Sequence, residues 1–314
     1  MTTARYLVTG GAGFIGSHIA EALLGVGETV RIFDNLATGR GSNLAALKGR
    51  AQFIQGDLRD LASVRVAMQG VEVVFHQAAL ASVPRSIADP IKSLETNING
   101  TQNVLLAARD SGVRRVVYAS SSSVYGNTPT LPKREDMPTH PMSPYAVQKL
   151  SGELLCGVFT RIYGLETVAL RYFNVFGPRQ DPASEYAAVI PRFLTALIEK
   201  RPPIVFGNGE QTRDFTYIAN VVQANLLAAS SSEAVGYALN IGCGEQISLN
   251  TVLRLAGELL GVTVDADYRE PRPGDVRDSC ADINLAQRLL GYRPSVSFHE
   301  GLARTLDALR RGIV

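Results

Sequence analysis

The chain has 314 residues, 46% hydrophobic and 19% charged, with a formal net charge of +2. That length allows one large domain or two closely merged ones of ordinary soluble composition. The near-balanced charge has no long basic run and argues against nucleic acid, and no apolar run reaches membrane-spanning length.

Residues 5–9 read as a short buried strand. It is followed at once by Gly10, Gly11, Gly13 and Gly16, then by a helix whose apolar positions recur through Ile19, Leu23 and Leu24. Glycine permits the sharp turn and lets a pyrophosphate approach the helix amino terminus. A second strand over 29–33 ends at Asp34, 18 positions after Gly16. A carboxylate there accepts hydrogen bonds from an adenosine ribose and repels a 2′-phosphate, favouring NAD over NADP; the plain alternative is a solvated strand-end carboxylate. Arg31 alternates with Val30 and Ile32 and is expected to face solvent, whereas Arg40, in a Gly-rich loop, has no predicted position.

Further strands are predicted over 51–55, ending at Asp57, then over 71–76, 115–119 and 167–171, with long helices over about 94–110 and 145–163. This alternation predicts an α/β fold, a Rossmann-type doubly wound parallel sheet, with ligands beyond the carboxyl ends of the strands. Gly10, Asp34, Asp57, Ala78, Ala79 and the serines at 120–123 fall there. From about 175 turn signals multiply, as at Gly177-Pro178 and Gly207-Asn208-Gly209. The expected division is a dinucleotide-binding domain over 1–175, with 214–226 able to return to it, and a smaller mixed α/β substrate lobe over 176–314. Cys156, Cys243 and Cys280 lack metal-site spacing, and with their odd number they point to a reducing, cytoplasmic setting. The amino terminus enters a strand within five residues, leaving no room for a signal peptide.

The chemistry is concentrated at Tyr145 and Lys149, four residues apart on one face of a helix. A free phenol ionises near pH ~10. Lowering that by about three units takes roughly 4 kcal/mol, which a nearby ammonium and a second positive charge, such as an oxidised nicotinamide, can supply. The pair then suits proton transfer in alcohol–ketone chemistry. Such a spacing also recurs by chance, so its surroundings decide. The serine run after the fifth strand, read by itself, is either a polar turn or a set of hydroxyls that bond a substrate alcohol and the Tyr145 phenol.

Taken in order, residues 9–16, 76–79, 97–101, 120–126, 143–149, 171–178, 209–214 and 272–277 resemble the extended short-chain dehydrogenases/reductases. Within that group they are similar to the nucleotide-sugar 4-epimerases, and the likeness spans nearly the whole chain. The resemblance implies NAD held by Gly10, Gly13, Phe14, Ile15, Gly16, Asp34, Asn35, Asp57, Leu58, Ala78, Ala79, Asn97, Tyr145, Lys149 and Tyr172. In it Asp57 receives the adenine amino group and Asn97 orders the loops around the nicotinamide. It assigns catalysis to Tyr145, Lys149 and Ser121. A UDP-sugar is expected against Ser82, Ser121, Ser123, Tyr145, Asn174, Val189, Phe206, Arg213, Arg272, Asp275 and Ser279. No metal is expected. Dehydratases and decarboxylases of this type carry a glutamate where Ser123 stands, so epimerisation is the expected outcome.

In relatives Ser279 falls beside the sugar C2 substituent, where a small side chain leaves room for an N-acetyl group; UDP-Glc/UDP-Gal and UDP-GlcNAc/UDP-GalNAc are both expected. The competing expectation is a UDP-glucuronate/UDP-galacturonate 4-epimerase, with Arg192 as the candidate for the C6 carboxylate, or else a surface arginine. The same resemblance predicts a homodimer through the 94–110 and 145–163 helices.

Overall fold

The computed structural model describes residues 4–45, 47, 49–181, 188–271 and 277–313. Arg272 and Asp275 therefore lie outside the described residues. The central sheet has seven parallel strands. In chain order the first six are β1 (Tyr6–Thr9), β2 (Val30–Asp34), β3 (Ala51–Gln55), β4 (Val73–His76), β5 (Arg115–Ser121) and β6 (Glu166–Tyr172). The seventh, Ala238–Ile241, adds beside β6, so the spatial order is seventh, β6, β5, β4, β1, β2, β3. The order reverses between β1 and β4, and the crevice at that switch point is where doubly wound sheets bind ligands.

Helices cover both faces, so the inner strands are buried along their length rather than at every second residue, while the edge strand β3 is only partly covered. All five residues of β2 are buried. This corrects the expectation for Arg31, which is 1% exposed. Its guanidinium donates to Gln52 Oε1 (2.8 Å) and to the carbonyls of Ala67 (2.7 Å) and Gln69 (2.8 Å). Alternation predicts exposure only where one face of a sheet meets water, and here neither does.

The helix expected over 94–110 begins earlier and changes pitch. Pro90–Leu94 is α-helical, Glu95–Asn99 forms a π-turn, and Gly100–Asp110 resumes as α-helix. π-turns of this kind accompany functional sites, and this one carries Asn97. The helix Pro144–Tyr163 starts where Pro144 presets the first turn and the Ser143 hydroxyl accepts from Ala146 N (3.2 Å). It ends at Gly164, whose φ of 69° a side chain would resist.

Beyond β6 the chain builds three two-stranded pairs. Val175–Phe176 pairs with Thr216–Tyr217, Thr212–Arg213 with Ile247–Ser248, and Ile204–Phe206 with Asp267–Arg269. The helix Ile218–Ser230 then packs against the helix Phe14–Gly25, and Ala238–Ile241 joins the sheet. The chain thus returns to the sheet later, and for longer, than 214–226. Phe176, Phe215, Tyr217 and Phe298 pack ring against ring, with centroids 5.4–6.2 Å apart, and they belong to the same continuous core as β1, β2 and β6.

Candidate active site

The glycine turn forms as its sequence requires. Gly10 has φ 70°, and a Cβ there would stand 2.7 Å from the backbone of Ala78. A Cβ on Gly16 would collide with the Gly10 carbonyl oxygen. The helix Phe14–Gly25 therefore starts hard against β1, and no side chain caps its first amides, which leaves those donors for an anion. Gly10, Gly13, Phe14, Ile15, Gly16, Asp34, Asn35, Asp57, Leu58, Ala78 and Ala79 all line one cleft.

Asp34, at the end of β2, accepts from Ala12 N (3.0 Å) and Leu36 N (2.8 Å). Burial pushes its carboxyl up, partly offset by those two amides. Arg40 is ion-paired with Asp181. Asp57 receives Asn35 Nδ2 (3.0 Å) and two bonds from the Arg59 guanidinium (2.9 and 3.0 Å), which hold it well below the usual carboxylate range. Arg59 also lines the cleft; the sequence reading passed it over because Arg beside Asp resembles any surface pair. Uncapped amides, a glycine cradle and two fixed carboxylates at the far end fit a dinucleotide.

Asn97 and Tyr172 stand behind this lining. Asn97 Oδ1 accepts from Leu80 N (2.8 Å) and its Nδ2 donates to Gln148 Oε1 (2.7 Å), tying the cleft wall to the helix that carries Tyr145 and Lys149. Tyr172 accepts from Asn225 Nδ2 (2.8 Å) and donates to Gln77 Oε1 (3.2 Å), so its hydroxyl serves protein partners.

Tyr145 and Lys149 occupy the first two turns of Pro144–Tyr163, facing the carboxyl end of β5. The Tyr145 phenol lies near the Ser121 hydroxyl, which favours its ionised form, and Ser86 Oγ accepts from Tyr145 N (3.1 Å). Lys149 is 4% exposed and donates to the Ala119 carbonyl (2.6 Å). Its Nζ lies 5.1 Å from the Tyr118 ring centroid and 5.8 Å from that of Tyr145. Burial pushes the Tyr145 phenol up to about 12, against the pull of Ser121, and the Lys149 ammonium down to about 8. This differs from the expectation built on charge attraction alone. Desolvation disfavours both charged forms, and the ammonium bonds a carbonyl rather than the phenol.

Ser123 follows on a short 3-10 turn, and its hydroxyl is buried with no protein partner. Ser82 uses its hydroxyl to cap the helix Val83–Ala88 by accepting from Arg85 N (3.2 Å).

Across the crevice, Asn174, Val189, Arg192, Phe206, Gln211 and Arg213 line a second cavity. Phe206 and Arg213 also line the open groove beside it. Asn174 holds φ 30°, an unfavourable value for a side-chain-bearing residue. Its Nδ2 donates to Ser279 Oγ (3.1 Å) and to the Asp214 carbonyl (3.2 Å). Arg213 donates to the Arg277 carbonyl (2.6 Å). Asp214, fully buried, accepts from the amides of Cys243, Gly244 and Ala281 (2.8–3.0 Å) and so ties two loops to this wall. The sequence reading missed Asp214; a carboxylate inside the 209–214 motif was the available signal. Among the described residues no cluster of ligating side chains could hold a metal, and no helix is long and apolar enough to cross a membrane.

Groups able to move a proton on an alcohol therefore end beside a cleft built for a dinucleotide, which is the arrangement of an enzyme of alcohol–ketone chemistry. A model of the NAD-dependent epimerase/dehydratase family matches residues 6–242; the chain belongs to that family, and NAD is its cofactor. A putative UDP-glucose 4-epimerase of Methanocaldococcus jannaschii is 39% identical over 97% of this chain and 98% of its own. The solved UDP-N-acetylglucosamine 4-epimerase of Methanobrevibacter ruminantium, in complex with UDP-N-acetylmuramic acid, superposes with a TM-score of 0.93 at 39% identity, covering 99% of this chain and 100% of that one. The UDP-glucuronic acid 4-epimerase of Bacillus cereus, with UDP-glucuronic acid and NAD, gives 0.91 at 35% identity, covering 98% and 99%.

Proposed function

We propose that the protein interconverts UDP-hexoses differing at C4, with UDP-Glc/UDP-Gal and UDP-GlcNAc/UDP-GalNAc as substrates. The observation that carries this reading is the convergence of Ser121, Tyr145 and Lys149 on the strand end beside the glycine cleft. Gly10 to Gly16 would hold the NAD pyrophosphate, Asp34 and Asn35 its ribose, and Asp57 and Leu58 its adenine. When bound, NAD supplies the reversible two-electron oxidation at the sugar C4 and a positive ring whose field favours the Tyr145 phenolate. Tyr145 takes the proton of the C4 hydroxyl, with Ser121 bonding the same oxygen, and Lys149 holds positive charge beside the phenol. The 4-keto sugar turns over about its diphosphate link, so that C4 would recover its hydride on the other face, and Tyr145 returns the proton to the C4 oxygen. The unpartnered Ser123 hydroxyl awaits a sugar hydroxyl; it has no acid of its own with which to drive elimination.

Phe206 is placed to stack the uracil. Arg213 and Asn174 suit the diphosphate, as arginine forks match phosphate oxygens, and by resemblance Arg272 and Asp275 complete that end. Arg192 shares its cavity with Phe206 and Arg213. If Phe206 and Arg213 hold the nucleotide as proposed, Arg192 lies with them and not at C6, a reading that favours neutral hexoses over hexuronates. Incubation with NAD and each UDP-sugar, with products resolved by chromatography, tests the reading. Interconversion of the hexose and N-acetylhexosamine pairs is expected; conversion of UDP-glucuronate alone would establish the hexuronate alternative instead.

The proposed assembly is a cytoplasmic homodimer. Ile87, Ile91 and Leu94 are exposed on two short helices that pack against Pro144–Tyr163, a helix that exposes Leu154 and Ile162, whereas Leu105 and Ala108, on the helix expected to share the interface, are buried. Light scattering at micromolar concentration should give twice the 33.7 kDa chain mass; a single-chain mass would contradict it.

A further inference from the structure

Three successive residues at the end of β5 meet three residues spaced by four on the helix Pro144–Tyr163. The Ala119 carbonyl receives Lys149, the Ser120 hydroxyl donates to Glu153, and the Ser121 hydroxyl lies near the Tyr145 phenol. The middle rung reaches a third element. Glu153 is gripped by Arg171 of β6 through Nε (3.0 Å) and Nη2 (2.8 Å), and Arg171 is the sheet partner of Ser120. Arg171 continues through Tyr125 OH (2.7 Å) to Asn240 Oδ1 (2.7 Å). Both side chains of the ion pair are nearly sealed from solvent, at 6% and 7% exposure. A buried pair of this kind gains little over well-packed apolar residues, because desolvation offsets the attraction. Its location one turn beyond Lys149 suggests another role.

We propose that Glu153, held by Arg171 and Ser120, is a positioning residue for proton transfer: it keeps Lys149 in its charged form and fixes the Ser120–Ser121 step against Tyr145. The proposal rests on the epimerase reading for its catalytic consequence only. The groups facing Lys149 are His76 of β4, Tyr118 of β5, and Tyr145, Glu153 and Cys156 of its own helix, with Arg171 of β6 behind Glu153. His76, fully buried between Thr9 and Thr101 and held down to about 3, stays neutral. Burial raises the Tyr118 hydroxyl and the Cys156 thiol, so these too stay neutral. Glu153 is then the group whose field opposes the burial penalty on the ammonium.

The test is Glu153→Gln in the full-length, NAD-loaded protein, read in two ways. The chain has five lysines, so 13C labelling at lysine Cε, with Lys149→Arg for assignment, follows the Lys149 titration directly. Removing the anion should lower its midpoint by roughly one unit. The alkaline limb of the kcat–pH profile should move down by a similar amount, because a neutral lysine no longer favours the phenolate. An unmoved Lys149 midpoint would overturn the proposal, and so would a kcat lowered equally at every pH, the mark of a purely structural residue. If Glu153→Gln does not fold, the double variant Glu153→Gln/Arg171→Gln removes the anion without stranding a buried guanidinium, and a smaller shift in the same direction is expected because a repelling cation leaves with the anion. The lysine titration needs no turnover. A parent protein inactive on every UDP-sugar would sink the epimerase reading, while the titration still decides whether Glu153 holds the charge.

Discussion

Tyr145→Phe is expected to lower kcat on every UDP-sugar by at least about 10³-fold, at the upper part of the range for losing a positioned acid–base group, while NAD content stays that of the parent. The substitution removes one oxygen and little else. The Ser143 cap and the bond from Tyr145 N to Ser86 Oγ involve the backbone and persist, and the half-buried ring keeps its volume. What disappears is the phenol oxygen whose ionised form Ser121 favours. In the protein alone, burial pushes this phenol up to about 12 and Lys149 down to about 8. The base therefore becomes competent only when added positive charge offsets desolvation. Turnover within a few-fold of the parent would move the acid–base role elsewhere.

Ser279→Tyr is expected to suppress the N-acetyl pair by about 10²-fold or more relative to the hexose pair, equivalent to roughly 2.8 kcal/mol of discrimination. Ser279 is 7% exposed and its hydroxyl receives Asn174 Nδ2, so it stands next to a residue of the substrate wall. In the sugar placement proposed above, a phenol ring projected from this position would take the space of an acetamido group, and overpacking of that kind costs about 1–3 kcal/mol even where neighbours relax. The hexose pair, lacking the acetamido group, should fall by no more than about tenfold. Equal losses on both pairs, measured as kcat/KM, would mean that Ser279 supports Asn174 and does not face C2.

The parts of this site that were legible in the sequence are those with a short-range physical signature. The spacing of Gly10, Gly13, Gly16 and Asp34 reports a strand–turn–helix–strand unit, and β1 to β6 were all anticipated because buried parallel strands are compact β-branched runs. Arg31 misled because period-two alternation carries no information in a sheet covered on both faces. The seventh strand, Ala238–Ile241, is four residues long and pairs with β6 from far along the chain, so nothing local marks it. The Glu153–Arg171–Ser120 contact needs three elements brought together by the fold; only the repeat of the four-residue step from Tyr145 through Lys149 to Glu153 hinted at it. The charge argument for Tyr145 omitted burial, a quantity that no spacing reports.

The proposed inversion of C4 runs through transient oxidation at that carbon, with no net redox change. The most direct measurement follows UDP-glucose deuterated at C4 through turnover in ordinary water. UDP-galactose that retains the deuterium at C4 is expected, with no accumulation of reduced cofactor. Exchange of the label with solvent during turnover, or failure to interconvert any gluco/galacto pair with NAD present, would contradict it.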